Sequence, residues 1–364
     1  MNAALDRLLR VLRDRAAARA LSLADWDPVL RLGRQARLLG LLGHRLASDE
    51  ALWSALPPEV RGHFRSAINY SAFRSQAVRM ELRALDPPVL PAEARVVLLK
   101  GAAYLAQGLE FARGRMPNDV DLLVARADLD AAEAALRAAG WGAEDVDAYD
   151  ERYYREWSHE LPPMRKPGHA LELDLHHTIA PVTSRTRADD ALLFAGIAPL
   201  AGTRFWVLHP CDQIVHAAIH LFQDTELDGR LRDLVDIDGL IRHHLRGEAD
   251  WGELRERARR HRASRMLWYA LHYCASWLGT PVPAAGWPEA PPEPARRAMD
   301  WIFPRTCLPR LPDAAPGLGH RLAGQVAQLR YHRLRMPAGL LMRHLAHKAW
   351  AAVPTRRSSA GVDA

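Results

Sequence analysis

Two acidic segments carry residue types and spacings that could do chemistry. In Asp119-Val120-Asp121-Leu122-Leu123-Val124, an extended backbone puts both aspartates on one face, roughly 6.6 Å apart, with Val120 on the other. In Leu171-Glu172-Leu173-Asp174-Leu175-His176 the leucines alternate with Glu172, Asp174 and His176. The leucines face a core and the polar residues share the opposite face. If the two strands are neighbours, Asp174 joins the Asp119/Asp121 pair, with Glu172 and His176 at its rim. Carboxylates about 5 Å apart repel by roughly 3 kcal/mol per pair at an effective dielectric of about 20, so protons or cations must lie between them. Hard oxygen ligands favour Mg²⁺ or Mn²⁺ over zinc.

The complement to this acidic face is Lys100-Gly101-Ala102. It follows the short apolar run Arg95-Val96-Val97-Leu98-Leu99 and precedes a helical segment to Phe111. Free N–H groups and the helix dipole at such a junction suit anions, phosphates above all. Gly101 permits close backbone approach, and Lys100 or Arg115 can pair with phosphates. A carboxylate-held metal beside a phosphate-binding turn is the machinery of phosphoryl or nucleotidyl transfer. No GxxxxGK[ST], GxGxxG, HExxH, GxSxG or HRD motif occurs, which removes the usual P-loop, Rossmann, zincin, hydrolase and kinase readings. His216 and His220 share a helical face without a third ligand and read as packing residues, with a zinc hydrolase as the weak alternative. Asp233, Asp236 and Asp238 do not share a helical face and read as solvated.

These residues need elements to position them. Residues 2–85 read as helices, with a cap at Asp25 for a helix beginning at Trp26 and a long amphipathic stretch from Pro58 to Leu85 ended by prolines. Strands are expected at 95–99, 119–124, 153–159, 171–178 and 204–208, and a helix over 128–139 closed by Gly140. Helices are expected again over 210–223, 230–246, 250–277, 293–303 and 318–349. The alternation predicts an α+β protein whose small α/β core is a mixed sheet flanked by helical regions. Its divisions would be 1–90, 91–209 and 210–350, with a flexible tail at 351–364.

Composition bounds the class. The chain has 364 residues, 49% of them hydrophobic and 25% charged, which excludes wholesale disorder. No uncharged apolar run is long enough to span a membrane, and the N-terminus lacks the pattern of a signal peptide. Three scattered cysteines argue for a reducing, cytoplasmic setting. The formal charge is +6, with 46 arginines and 3 lysines. Residues 314–362 hold eight basic residues and no acid, so the excess charge is a C-terminal feature. RNA or an acidic partner could meet it.

Leu99-Lys100-Gly101, Arg115, the Asp119–Val124 strand and Glu172-Leu173-Asp174-Leu175-His176 together resemble the uncharacterised nucleotidyltransferase family of the DNA polymerase β-type superfamily. The helix over Ala36–Leu42 and the region from His220 to Asp233 are similar to it as well. The resemblance implies an NTP-dependent enzyme. Asp119 and Asp121 would hold two metal ions. Asp174 would ligate one of them and help deprotonate an acceptor hydroxyl, which attacks the α-phosphorus as pyrophosphate leaves. Lys100, Gly101, Ala102 and Arg115 would bind the nucleotide, ATP or another NTP. The acceptor would be a small molecule, sugar, peptide or protein. An RNA end held by the basic segment, or a non-catalytic binding protein of the same fold, are the alternatives. The superfamily commonly has Gly-Ser where this chain has Gly101-Ala102, so a hydroxyl toward the triphosphate is missing.

Overall fold

The computed structural model describes residues 3–86, 89–143, 148–223, 227, 229–337, 339 and 341–343. Five helices precede the sheet: α1 (Ala3–Arg13), α2 (Leu23–Gln35), α3 (Leu39–Ala47), α4 (Glu50–Ala55) and α5 (Pro58–Ala84). In α1 the leucine spacing buries Leu5, Leu8, Leu9 and Leu12. The cap of α2 is Ser22, not Asp25. The Ser22 hydroxyl accepts from the Asp25 N–H, and the Asp25 carboxylate accepts from the Ser22 N–H. That reciprocal box starts the helix at Leu23, three residues before Trp26. α3 packs along α5.

Seven strands form one mixed sheet among the described residues: β1 (Val97–Leu98), β2 (Asp119–Leu123), β3 (Gly142–Ala143), β4 (Met164–Arg165), β5 (Glu172–His176), β6 (Ala198–Pro199) and β7 (Trp206–Val207). Their order is β3-β4-β5-β2-β1-β7-β6. β2 runs parallel to β5 and antiparallel to β1, and β1 runs parallel to β7. Leu171, Leu173 and Leu175 are buried, so the alternating leucines face the core as their spacing demanded. Between strands lie α6 (Lys100–Ala106), α7 (Leu129–Ala138), α8 (Ala148–Glu156) and α9 (Asp190–Ala195).

The rest is helical: α10 (Pro210–Phe222), α11 (Leu231–His244), α12 (Glu248–Arg260), α13 (Ser264–Tyr273), α14 (Glu293–Thr306) and α15 (Leu318–Arg335). One hydrophobic core runs from α1 to α15. This is the α+β class with helical flanks that the sequence pattern implied.

Three expected elements differ. Residues 153–159 are not a strand: α8 extends to Glu156, and Tyr153 and Trp157 pack edge to face at helical spacing. The helix expected over 250–277 is broken after Arg260. There Arg262 takes a left-handed φ of 52° and the Ala263 N–H turns back to the Ala258 carbonyl. The helix expected over 318–349 has its described end at Arg335. Residues 344–350 and the tail at 351–364 lie outside the described residues. No helix among the described residues is long and apolar enough to cross a membrane.

Candidate active site

Parallel pairing of β2 with β5 puts Asp119 opposite Glu172 and Asp121 opposite Asp174. Neighbouring strands lie about 4.8 Å apart, so the two central carboxylates are held side by side on one face. Both aspartates of β2, together with Asp174, line a cavity of 580 Å³. That volume suits a nucleotide-sized ligand.

The three carboxylates differ in state. Asp121 is 2% exposed. It accepts from Lys100 Nζ at 2.6 Å and from His176 Nε2 at 3.0 Å, both at Oδ1. Burial opposes its ionisation, but the Lys100 ammonium and the His176 bond overcome that and hold Asp121 well below the usual carboxylate range. Asp174 is the opposite case. Burial first, then the charge of Asp121, push it up to about 7, and its Oδ1 is buried without a hydrogen-bond partner among the described residues. Asp119 is raised in the same direction, by burial and then by Asp121. Burial also works against the charge on Lys100, yet Asp121 and Glu160 raise its pKa. Lys100 therefore stays an ammonium.

The sequence reading missed His159 and Glu160. They follow α8, and Glu160 makes an isolated antiparallel bridge to His176. His176 Nε2 lies 3.3 Å from Glu160 Oε2, and His159 Nε2 lies 3.6 Å from that oxygen. One ligand atom from each of His159, Glu160 and His176 falls within 4.8 Å of the others, the one such group among the described residues. It could hold a cation. However, Nδ1 of both rings has no partner among the described residues, whereas a ring that ligates a metal ordinarily anchors its other nitrogen. The only signal in the sequence was the His159-Glu160 dipeptide, at the end of a segment, 153–159, assigned to a strand.

His176 is not at the rim. It is fully buried, because Asp121 and Glu160 together stabilise its charged form against the burial cost. Glu172 stands on the strand face but is half exposed, pairs with Arg165 and is absent from the cavity lining.

The turn at Lys100 differs from its expected role as a phosphate cradle. Lys100 takes a left-handed φ of 44° at the corner between β1 and α6 and spends its ammonium on Asp121. Gly101 lines the cavity, but a Cβ there would meet Arg115 Nη1 at 2.1 Å. The space that glycine leaves is filled by a guanidinium. Ala102 is buried and does not line the cavity. Arg115 lies over the Tyr104 ring and bonds Asp236 Oδ2 through Nε at 2.9 Å and Nη2 at 2.8 Å. Asp236 is thus buried and paired, not solvated: Arg115 and Arg232 supply its partners.

His216 and His220 both line the cavity. Burial keeps both rings far below their usual pKa and neutral. His220 Nδ1 accepts from Arg230 Nη2 at 3.0 Å, so it positions an arginine. No metal-sized group includes either ring among the described residues.

The chain matches, over residues 22–279, the family described as uncharacterised nucleotidyltransferase, and it belongs to that family. No curated protein and no solved structure matches it.

Proposed function

We propose that this member of the nucleotidyltransferase family transfers a nucleoside monophosphate from an NTP to a hydroxyl, with Mg²⁺ or Mn²⁺ bound at Asp119, Asp121 and Asp174. The observation that carries the reading is the Asp121–Asp174 register beside Asp119, at the wall of a nucleotide-sized cavity. The donor set fits a hard cation. It is all oxygen, and Asp174 Oδ1 is buried with no hydrogen-bond partner among the described residues, which suits a metal-ligating atom. Mg²⁺ commonly takes only one or two protein carboxylates and completes its shell with phosphate oxygens and water. Such an ion, when bound, neutralises charge developing on the phosphoryl oxygens.

The chain's own residues do the rest. Asp174, raised to about 7, is poised to take the proton of the acceptor hydroxyl near neutral pH. Asp121 is fixed by Lys100 and His176, which keep it ionised and correctly turned. We read residues 91–209 as the catalytic core, with residues 1–90 and 210–350 shaping the acceptor side. Of the basic C-terminal helix, Arg330 donates to the Phe222 carbonyl and Arg335 lines the cavity. These two serve the interior, which favours a hydroxyl acceptor inside the cavity over an RNA laid across α15.

The test is incubation of the protein with each labelled NTP and Mg²⁺ in cell extract, followed by mass spectrometry of whatever gains a nucleotide. Label transfer that is lost in Asp119→Asn supports the reading. Label released only as free phosphate, or transfer unchanged in that variant, contradicts it.

A further inference from the structure

The expected phosphate cradle at Gly101 is closed by Arg115, so the β and γ phosphates of a bound NTP need another seat. Asp236 lies between two guanidiniums: Arg115 on Oδ2, and Arg232 Nε on Oδ1 at 3.0 Å. Arg230 pairs with Asp233, and Arg115 Nη2 also approaches Asp233 at 3.9 Å. Three guanidiniums therefore gather around Asp233 and Asp236, and all three line the cavity.

Arg232 is the key group. It is 6% exposed and lines the cavity. Its Nε is held by Asp236 and its Nη2 donates to the Phe111 carbonyl at 3.0 Å. With two edges fixed, the guanidinium cannot turn to another acceptor, and Nη1 has no partner among the described residues. Arg37 lines the same cavity from the corner between α2 and α3, on a left-handed backbone with φ 55°. The cluster is continuous with the carboxylate end of the cavity, since Arg115 and Asp119 line the same cavity.

We propose that Arg232, with Arg230 and Arg37, forms the seat of the NTP polyphosphate, so that the C-terminal helices hold the leaving pyrophosphate while the sheet holds the reacting centre. This rests on the nucleotidyl-transfer reading and adds the part the Gly101 turn does not supply. A guanidinium with a fixed orientation suits phosphate oxygens better than a mobile lysine.

The experiment is calorimetry on the full chain with Mg²⁺, comparing inorganic tripolyphosphate with orthophosphate as probes. Arg232→Gln should lower the tripolyphosphate-to-orthophosphate affinity ratio by about 10- to 100-fold, the loss of a charge-assisted bond. Arg37→Gln, at an exposed position, should lower it up to about fivefold. If Arg232→Gln does not fold, the Arg37→Gln ratio decides alone. An unchanged ratio in every folded variant overturns the proposal. So does normal tripolyphosphate binding combined with failed transfer, which would assign these arginines to an anionic acceptor. Asp119→Asn separates the two levels. If tripolyphosphate binds through the arginines while Mg²⁺ and Asp119 make no difference, the transfer reading falls and an anion seat stands. If NTP binding depends on Mg²⁺ and the arginine variants leave the ratio unchanged, the seat falls and the transfer reading stands.

Discussion

Removing the Asp121 charge should destabilise the protein through the lysine it leaves behind. The Lys100 ammonium is 2.6 Å from Asp121 Oδ1, with side-chain exposures of 18% and 2%. At an effective dielectric of about 20, charges at that distance attract by roughly 6 kcal/mol. Truncating one partner of a buried pair costs about 3–5 kcal/mol, because the other charge is stranded. Unfolding entropy of about 2.1 cal/mol/K per residue gives about 0.8 kcal/mol/K for a chain of 364 residues unfolding cooperatively. Asp121→Asn should therefore lower Tm by about 4–6 °C. Adding Lys100→Met should recover most of that loss, since no charge is then stranded, whereas Lys100→Met alone leaves Asp121 only its His176 bond. Differential scanning calorimetry of the four proteins closes the double-mutant cycle. If Asp121→Asn melts with the parent, or if the two losses simply add, the buried ion pair does not hold this site together.

Other outcomes follow from the same geometry. Asp174, at about 7 against a usual 3.8, keeps a proton when folded that the unfolded chain has lost. Between those values the metal-free protein should lose stability as pH rises. Mg²⁺ must displace that proton, so its affinity should climb with pH up to about 7 and then level off. Titration calorimetry from acid to mild alkali checks both, and Asp174→Asn should flatten the profile. Asp119→Asn should cut turnover by about 10²–10³-fold, the equivalent of several kcal/mol of charge stabilisation, in a single-turnover assay. Gly101→Ala drives a methyl into Arg115 Nη1. It should cost about 1–3 kcal/mol in a denaturant melt and weaken NTP binding by shifting the arginine off Asp236.

The shared acidic face of the candidate site was legible because strand periodicity is local. Asp119, Asp121 and Asp174 stand out by period-two alternation, and a single pairing of β2 with β5 brings them together. What escaped is set by distant contacts. Nothing near Asp236 in the chain announces that it meets Arg115, since only the packing of α11 creates that pair. Gly101 looked like room for a phosphate, but an arginine fourteen positions later fills it. Tyr153, Tyr154 and Trp157 suggested a strand by residue type, yet their rings meet edge to face along α8 and its end, which hid His159 and Glu160. The break after Arg260 was invisible because apolar spacing continues from Leu254 and Ala258 to Met266 and Leu267, and the reversal falls on an arginine where a glycine would have marked it.

The claim on which the account turns is that a cation held by the acidic strand pair is what binds a nucleotide's phosphates there. Calorimetric titration of non-hydrolysable NTP analogues, with and without Mg²⁺, tests it directly on the parent and on Asp119→Asn and Asp174→Asn. We expect binding that requires Mg²⁺ in the parent and is lost in both variants. Binding of equal strength without Mg²⁺, or undiminished in the variants, would contradict the account.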